Sequence, residues 1–291
     1  MTSFDSNSFA ANTDWFVGID SDGCAFDTME VKHKECFIPA TINHYGLQPV
    51  SKFAREAAEF VNLYSTSRGI NRFPALIQTL ELLAVRPEVI ARGIRVTVPE
   101  GLVSWIQRET KLANPALEKA VAERGDPDLA QALGWSREVN SVIERVVHGV
   151  PPFPLVRESL EALSGKADVL VVSATPGEAL EREWSEHDLS RHLRIICGQE
   201  AGTKKEILQV AKHYKPHHAL MLGDAPGDAS AAEANDALFF PILPGEEDSS
   251  WKRFLNEGLG RFFAQTFAGE YQETLLDEFR AKLPASPPWK Q

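Results

Sequence analysis

The 291-residue chain holds only three cysteines and no apolar run as long as a membrane span. Cys24, Cys36 and Cys197 are too few and too scattered for a disulfide framework, which points to a reducing compartment. The polar start MTSFDSNSFAANTD lacks the charged and apolar regions of a signal peptide, so a cytoplasmic location is expected and the first dozen residues read as a loose arm. Basic charge is short as well. With 30 Lys and Arg against 41 Asp and Glu the net charge is -11, and no basic run offsets it. That balance argues against nucleic acid or an anionic membrane surface as the main partner. A small anionic substrate still fits where local cations and a metal overturn the global field. No internal repeat or low-complexity tract is visible, and oligomeric state is left open. What remains is an ordinary globular composition, 43% apolar and 24% charged, in a chain long enough for one large domain or two modest ones.

Trp15 to Asp27, WFVGIDSDGCAFD, organises the rest. Trp15, Phe16, Val17 and Ile19 form an apolar run broken only by Gly18, and it stops at Asp20, Ser21, Asp22 and Gly23. This predicts a buried strand whose carboxyl end carries two acids, where ligands bind in open α/β sheets. Asp20 and Asp22, two apart, share one side of an extended chain. Adjacent carboxylates repel, and a divalent cation or a cationic side chain is the usual way to keep both ionised. The same residues also suit an Asx-type turn.

Beyond Asp27 the pattern turns helical for over a hundred residues. Apolar stripes recur at Phe53, Ala57, Val61 and Tyr64, at Phe73, Leu76, Ile77, Leu80 and Leu83, and at Val139, Val142, Ile143, Val146 and Val147. Pro87, Pro99, Pro115 and Pro127 stand where shorter helices could begin. GVPPFP at Gly149 to Pro154 is a rigid, turn-rich connection suited to a domain boundary. From there strands are predicted near 168–173, 193–197, 219–222 and 237–240, with helices near 155–163, 177–184, 204–213 and after Asp228. Such alternation implies a parallel sheet wrapped by helices, which the first strand must join. The helical block is then an insertion in a discontinuous α/β core. Residues 251–283 read as helical with no assignable packing partner.

Three more stretches bring polar residues to the same sheet edge. VLVVSATP places Ser173 at a strand end before a helix, where a hydroxyl and free amides suit an anion, although Ser also caps helices for structural reasons. GQEAGTKKEIL puts Lys204 and Lys205 at a helix start against the dipole, which suggests an anionic partner or simply solvated lysines. ALMLGDAPGD gives Gly223, Asp224 and Asp228, with Gly223 read as a sharp turn and the acids one helical turn apart. An N-cap role explains one of those acids but not both. Arg68, Asn71 and Arg72 in YSTSRGINRF could meet an anionic or polyhydroxyl substrate, or serve as helix-end cations and a helix cap. His33, Cys36 and His44 lack the spacing and the fourth ligand of a zinc site, and Trp105 and Trp135 read as packing residues.

Taken in order, Asp-x-Asp-Gly, Ser, Lys and Gly-Asp-x-x-x-Asp resemble the motifs of the haloacid dehalogenase-like superfamily of phosphatases and phosphotransferases. The resemblance covers roughly 12–32 and 150–245. It implies an α/β, Rossmann-like parallel sheet core over 12–32 and 150–291, with an all-helical cap inserted at 33–149. Carried over by position, it implies Asp20 as nucleophile and Asp22 as general acid/base, with Ser173 and Lys204 binding the phosphoryl group. Mg2+ would be held by Asp20 and Asp224, with Asp22 contributing its backbone carbonyl and Asp228 acting either as a direct ligand or by supporting the ligands. Lys204 is preferred to Lys205 because it stands one residue ahead of the Glu-x-Leu pattern formed by Glu206 and Leu208. Cys24 departs from the Thr or aliphatic residue usual after that glycine, and a buried Cys serves as a small apolar side chain. Asp22 speaks against the dehalogenase and phosphonate-cleaving chemistries of the family, whose members generally lack an acid there. The expected activity is hydrolysis of a small phosphorylated metabolite through an aspartyl-phosphate. The alternatives are a phosphotransferase or mutase on the same fold, or a catalytically silent phosphate-binding member. Receiver modules share the acidic strand ends but lack both the helical insertion and the later Gly-Asp-x-x-x-Asp.

Overall fold

Five short apolar runs become the strands β1 (Trp15–Ile19), β2 (Ala167–Val172), β3 (Ile195–Cys197), β4 (Ala219–Gly223) and β5 (Leu238–Pro241) in a computed structural model that describes residues 4–290. All pair in parallel, in the order β3-β2-β1-β4-β5. Parallel strands are covered on both faces, which is why they read as unbroken apolar runs rather than alternating ones. Val17, Ile19, Val171 and Leu222 pack into one apolar cluster, while Phe16, Leu170, Val172 and Met221 pack into another, the period-2 division of a strand between two faces. Gly18 leaves room in β1 for that packing, since a Cβ there would stand 2.9 Å from Met221 Sδ and 3.2 Å from Leu208 Cδ2. The sheet order reverses at β1, so the crevice beyond its carboxyl end lies at the topological switch point.

Residue contacts divide the chain into two units. The α/β unit holds the described residues up to Met29 and Gly149–Leu283, and the helical unit holds Glu30–His148 and the described residues from Pro284 onward. The breaks fall a few residues from the sequence-derived 33 and 149, and 284–290 group with the helical unit rather than with the core. The cause is local to that unit: the Trp289 ring meets Phe60 edge-on at 5.7 Å and carries the Arg86 guanidinium 4.3 Å above it.

Two further expectations change in the α/β unit. The N-terminal arm is not loose over its described part. Asp168, a buried carboxylate at the start of β2, accepts hydrogen bonds from the amides of Asn12 (2.8 Å) and Thr13 (3.2 Å). Phe9 is buried beneath the Arg194 guanidinium, 4.2 Å from its ring centre. The C-terminal helices find their partner in β5, with Phe254 against Phe240 at 5.2 Å and Phe279 against Phe239 at 5.8 Å. Helix Glu270–Lys282 also supplies Gln272, whose Oε1 accepts the Phe239 amide at 3.0 Å and so satisfies a donor on the edge strand.

In the helical unit Pro87 and Pro127 open helices Pro87–Ile90 and Pro127–Val146, and Pro115 takes the second position of Asn114–Arg124. Pro99 stands one residue outside, as the N-cap of Glu100–Arg108. Trp105 and Trp135 are core residues, both edge-on to Phe73. Val146 leaves the predicted apolar stripe and is 41% exposed at the helix end. Among the described residues no helix is long and apolar enough to cross a membrane.

All three cysteines are free thiols and buried. Burial pushes the Cys197 thiol up to about 12 and raises Cys24 and Cys36 as well. The thiolate is the reactive form, so native protein at pH 8 is expected to react with a thiol reagent at least about a hundredfold more slowly than protein in denaturant, where three equivalents react. Rapid labelling of native protein would show that the thiol environments are more open than described.

Candidate active site

Asp20 follows β1 directly, and its amide donates to the Leu222 carbonyl at 3.0 Å, so the β1–β4 ladder itself fixes where the carboxylate begins. Asp20 is buried at 5% exposure. Its Oδ1 accepts the Ser21 amide at 2.8 Å and its Oδ2 accepts Lys204 Nζ at 2.5 Å. Lys204 opens the short helix Lys204–Ile207, whose N-cap Thr203 forms a reciprocal capping box with Glu206. That cap sets the helix start, and the same ammonium donates to Asp228 Oδ1 at 2.5 Å. Lys205 is exposed, so it is Lys204 that meets the acids. The predicted helix 204–213 tightens to 3-10 geometry from Leu208 to His213.

Asp224 follows β4, and Asp228 sits in the first turn of helix Pro226–Glu233. Asp228 Oδ2 reaches back to the amides of Asp224 at 3.2 Å and Ala225 at 3.1 Å, satisfying donors at the helix start. Gly223 needs a different explanation from the sharp turn expected of it. It lies in β4, and a Cβ on it would stand 2.5 Å from Asp228 Cβ and Oδ2. The glycine makes room for the Asp228 side chain.

Asp20, Asp224 and Asp228 each bring a carboxylate oxygen within 4.8 Å of the other two, and all three are buried. With every carboxylate ionised, one ammonium leaves two negative charges in excess. The consequence appears at Asp20: burial and the charges of Asp228 and Asp224 raise its pKa well above the usual carboxylate range, against the opposing pull of Lys204. Lys204, half-buried, is driven upward by Asp20 and Asp228 despite its desolvation, so it is a fixed cation. Three hard oxygen donors with surplus negative charge suit a divalent cation such as Mg2+. This is the cluster of metal-ligating type found among the described residues. His44 in the helical unit instead pairs with Glu138 at 2.6 Å.

The Asp22 side chain does not join that cluster. Its Oδ1 accepts the Thr28 hydroxyl, and its Oδ2 accepts the Thr175 hydroxyl at 2.6 Å. Gly23, at φ 77°, turns the chain immediately afterward, and the amides of Cys24, Ala25 and Phe26 gather on the Ser21 carbonyl. The Ser21 hydroxyl donates to Glu183 Oε2 at 2.9 Å and accepts Trp184 Nε1–H at 3.0 Å, which anchors the turn to helix Gly177–Glu186.

Ser173 is buried at the end of β2. Its amide donates to the Cys197 carbonyl at 3.0 Å, and its Oγ accepts the Thr175 amide at 3.2 Å. It is not the N-cap of the following helix, a place taken by Pro176; its hydroxyl instead holds the Thr175 amide of the intervening turn.

Arg68, Asn71 and Arg72 belong to the helical unit. Asn71 is the N-cap of helix Arg72–Ala84, accepting the Phe73 amide at 3.0 Å, and its amide group donates to the Leu112 carbonyl at 2.8 Å. Arg68 is buried and donates to the Leu63 carbonyl at 2.8 Å. Arg72 donates to Ser136 Oγ at 3.0 Å and Asn140 Oδ1 at 2.7 Å, with its guanidinium 5.1 Å above the Phe37 ring. Burial draws its pKa down to about 10.

Sequence reasoning missed Thr28, Thr175 and the Ser21–Glu183–Trp184 anchor. Thr175 carried one signal, its place two residues after Ser173 at a strand end. Nothing in the sequence announces which carboxylate its hydroxyl meets.

No protein-family model matches the sequence, and no curated protein matches it. Among solved structures the chain is similar to a HAD-superfamily hydrolase, subfamily IA, variant 1, from Geobacter sulfurreducens, at 15% identity and TM-score 0.40, over 81% of this chain and 91% of that one. It is similar to a haloacid dehalogenase-like family hydrolase from Xanthomonas campestris, at 11% identity and TM-score 0.45, over 88% and 94%. A hydrolase of the haloacid dehalogenase-like family from Streptococcus pneumoniae matches at 10% identity and TM-score 0.46, over 82% and 90%.

Proposed function

We propose that the protein is a magnesium-dependent phosphomonoester hydrolase that works through an aspartyl-phosphate on Asp20 and acts on a small phosphorylated metabolite. The observation that supports this reading is the buried arrangement of Asp20 between the Ser21 amide and Lys204, beside Asp224 and Asp228. A structural ion pair needs one carboxylate for one ammonium, and three buried acids around one lysine make a poor structural device. They make a good site for an electrophile that arrives with a cation.

Asp20, Asp224 and Asp228, with the Asp22 carbonyl, would hold Mg2+, which when bound supplies positive charge against the phosphoryl oxygens. An Asp20 carboxylate oxygen attacks phosphorus while the bond to the leaving oxygen breaks. Lys204 neutralises charge on Asp20 and on the transferring group, and the Ser173 hydroxyl donates to a phosphoryl oxygen. Asp22 gives its proton to the leaving oxygen, then takes one from the water that cleaves the aspartyl-phosphate. Within the helical unit, Arg72 is fixed by Ser136 and Asn140, Arg68 donates to the Leu63 carbonyl and Asn71 is spent on its cap.

The test is phosphate release from a panel of phosphorylated metabolites and one aryl phosphate, with Mg2+ or with chelator. Metal-dependent release supports the reading and ranks substrates. Transfer of the phosphoryl group to an added alcohol without free phosphate would move the activity to a phosphotransferase. No turnover of any kind by protein that binds Mg2+ would overturn it. Within the same assay, Asp22→Asn is expected to lower turnover roughly 10²- to 10⁴-fold and to leave the thermal midpoint near that of the parent. Unchanged turnover would remove the acid/base role.

A further inference from the structure

We infer that Thr175 is the positioning residue for Asp22, locking the acid/base to the loop that presents Ser173; this rests on the phosphatase reading above. Asp22 lies beyond the end of β1, on a turn whose next residue takes positive φ, so the sheet does not fix its carboxylate as it fixes Asp20. Two hydroxyls do that work. Thr28, six residues on, opens the short helix Thr28–Val31 that follows the turn. Thr175 comes from the turn after β2, the strand beside β1, 153 residues on, and donates to Oδ2 at 2.6 Å.

Thr175 is itself tightly placed. Its amide donates to Ser173 Oγ at 3.2 Å and its carbonyl accepts the Gln199 amide at 3.0 Å. Gly198, at the end of β3, closes on the same peptides so tightly that a Cβ there would stand 2.7 Å from the Thr175 carbonyl oxygen and 2.5 Å from the Gly177 amide nitrogen. One short turn therefore carries both the hydroxyl offered to the phosphoryl group and the hydroxyl that aims the proton donor. Asp22 is thereby tied to the same turn that presents the Ser173 hydroxyl. Near-attack alignment of this kind is lost for small displacements.

The role predicts a specific pattern. When Asp20 attacks, the bond from phosphorus to the leaving oxygen breaks, and the Asp22 proton passes to that oxygen. A simple alkyl alkoxide needs that proton, whereas p-nitrophenolate departs as a stable anion without it. Misaligning Asp22 should therefore harm alkyl esters selectively. Because kcat/KM reports the steps up to formation of the aspartyl-phosphate, it is the quantity to compare.

The experiment measures kcat/KM for the native protein, Thr175→Val and Thr175→Ser, on an alkyl phosphate and on p-nitrophenyl phosphate with Mg2+, with thermal midpoints alongside. Valine keeps the shape and removes the hydroxyl. Thr175→Val is expected to lose roughly tenfold on the alkyl ester, the scale of one hydrogen bond to a charged group, and less than about twofold on the aryl ester. Thr175→Ser, which keeps the hydroxyl, should recover most of the loss. Equal losses on both esters, or no recovery with serine, would overturn the positioning role and leave the phosphatase reading intact. Native protein silent on both esters would overturn that reading and this inference with it.

Discussion

Asp20→Asn is expected to abolish phosphate release, by on the order of 10⁴- to 10⁶-fold, the scale seen when a covalent nucleophile is removed from its assembly. The substitution is nearly isosteric. The Oδ atom that accepts the Ser21 amide persists, and Lys204 keeps Asp228 as its counter-ion, so the ends of β1 and β4 have no reason to shift. What is lost is the attacking oxygen, because a neutral amide is a poor nucleophile toward phosphorus. The measurement pairs turnover with mass spectrometry after acid quench. Native protein should carry the mass of one phosphoryl group under turnover, and the variant should carry none. A variant that still gains that mass would place the nucleophile elsewhere. A variant with native turnover would end the covalent mechanism on Asp20.

That prediction could be framed before any coordinates because Asp20, Ser173 and Asp224 each follow an apolar strand run without an intervening residue or with only Gly223 marking the end. A parallel sheet delivers all its strand ends to one edge, so sequence adjacency to a strand becomes spatial adjacency between residues 200 apart. Lys204 was legible for a related reason, a cation at a helix start where the dipole disfavours it. Loop hydroxyls obey no such rule. Whether Thr175 meets Asp22 depends on one side-chain rotamer and on the closeness of Gly198, and neither has a periodic signature. Periodicity showed that residues 251–283 have an apolar face but not that β5 would receive it. Asn71 shows the converse limit: a cap and a ligand look alike in sequence, and only the bond from the Phe73 amide decides between them. The arm fails for the same reason, since nothing in Asn12 or Thr13 reveals that Asp168 lies waiting, buried, in need of donors.

Asp224→Asn is expected to move activity and stability in opposite directions. With chelator present, Asp20 sits in a buried field made more negative by Asp224 and Asp228, and its pKa is raised. A carboxylate whose folded pKa lies above its unfolded value favours the folded state once protonated, and that contribution is lost as pH rises through the folded pKa. At neutral pH the metal-free site therefore subtracts from stability, and removing the Asp224 charge relieves it. The expected gain is about 1 kcal/mol, or roughly 2–4 °C in thermal midpoint for a chain of this size. Adding Mg2+ reverses the ranking. Native protein should gain by mass action, about 2.7 kcal/mol at a hundred times the dissociation constant, while the variant, one hard oxygen charge poorer, should respond weakly. Phosphate release should fall about 10³- to 10⁵-fold in the variant, as it should for native protein in chelator, matching the several kcal/mol a Lewis acid contributes to phosphoryl transfer. Thermal melts of both proteins in chelator and across a Mg2+ titration, with turnover on the same samples, decide the matter. A variant less stable than the parent in chelator and equally responsive to Mg2+ would show that Asp224 stabilises the fold and takes no part in holding the cation.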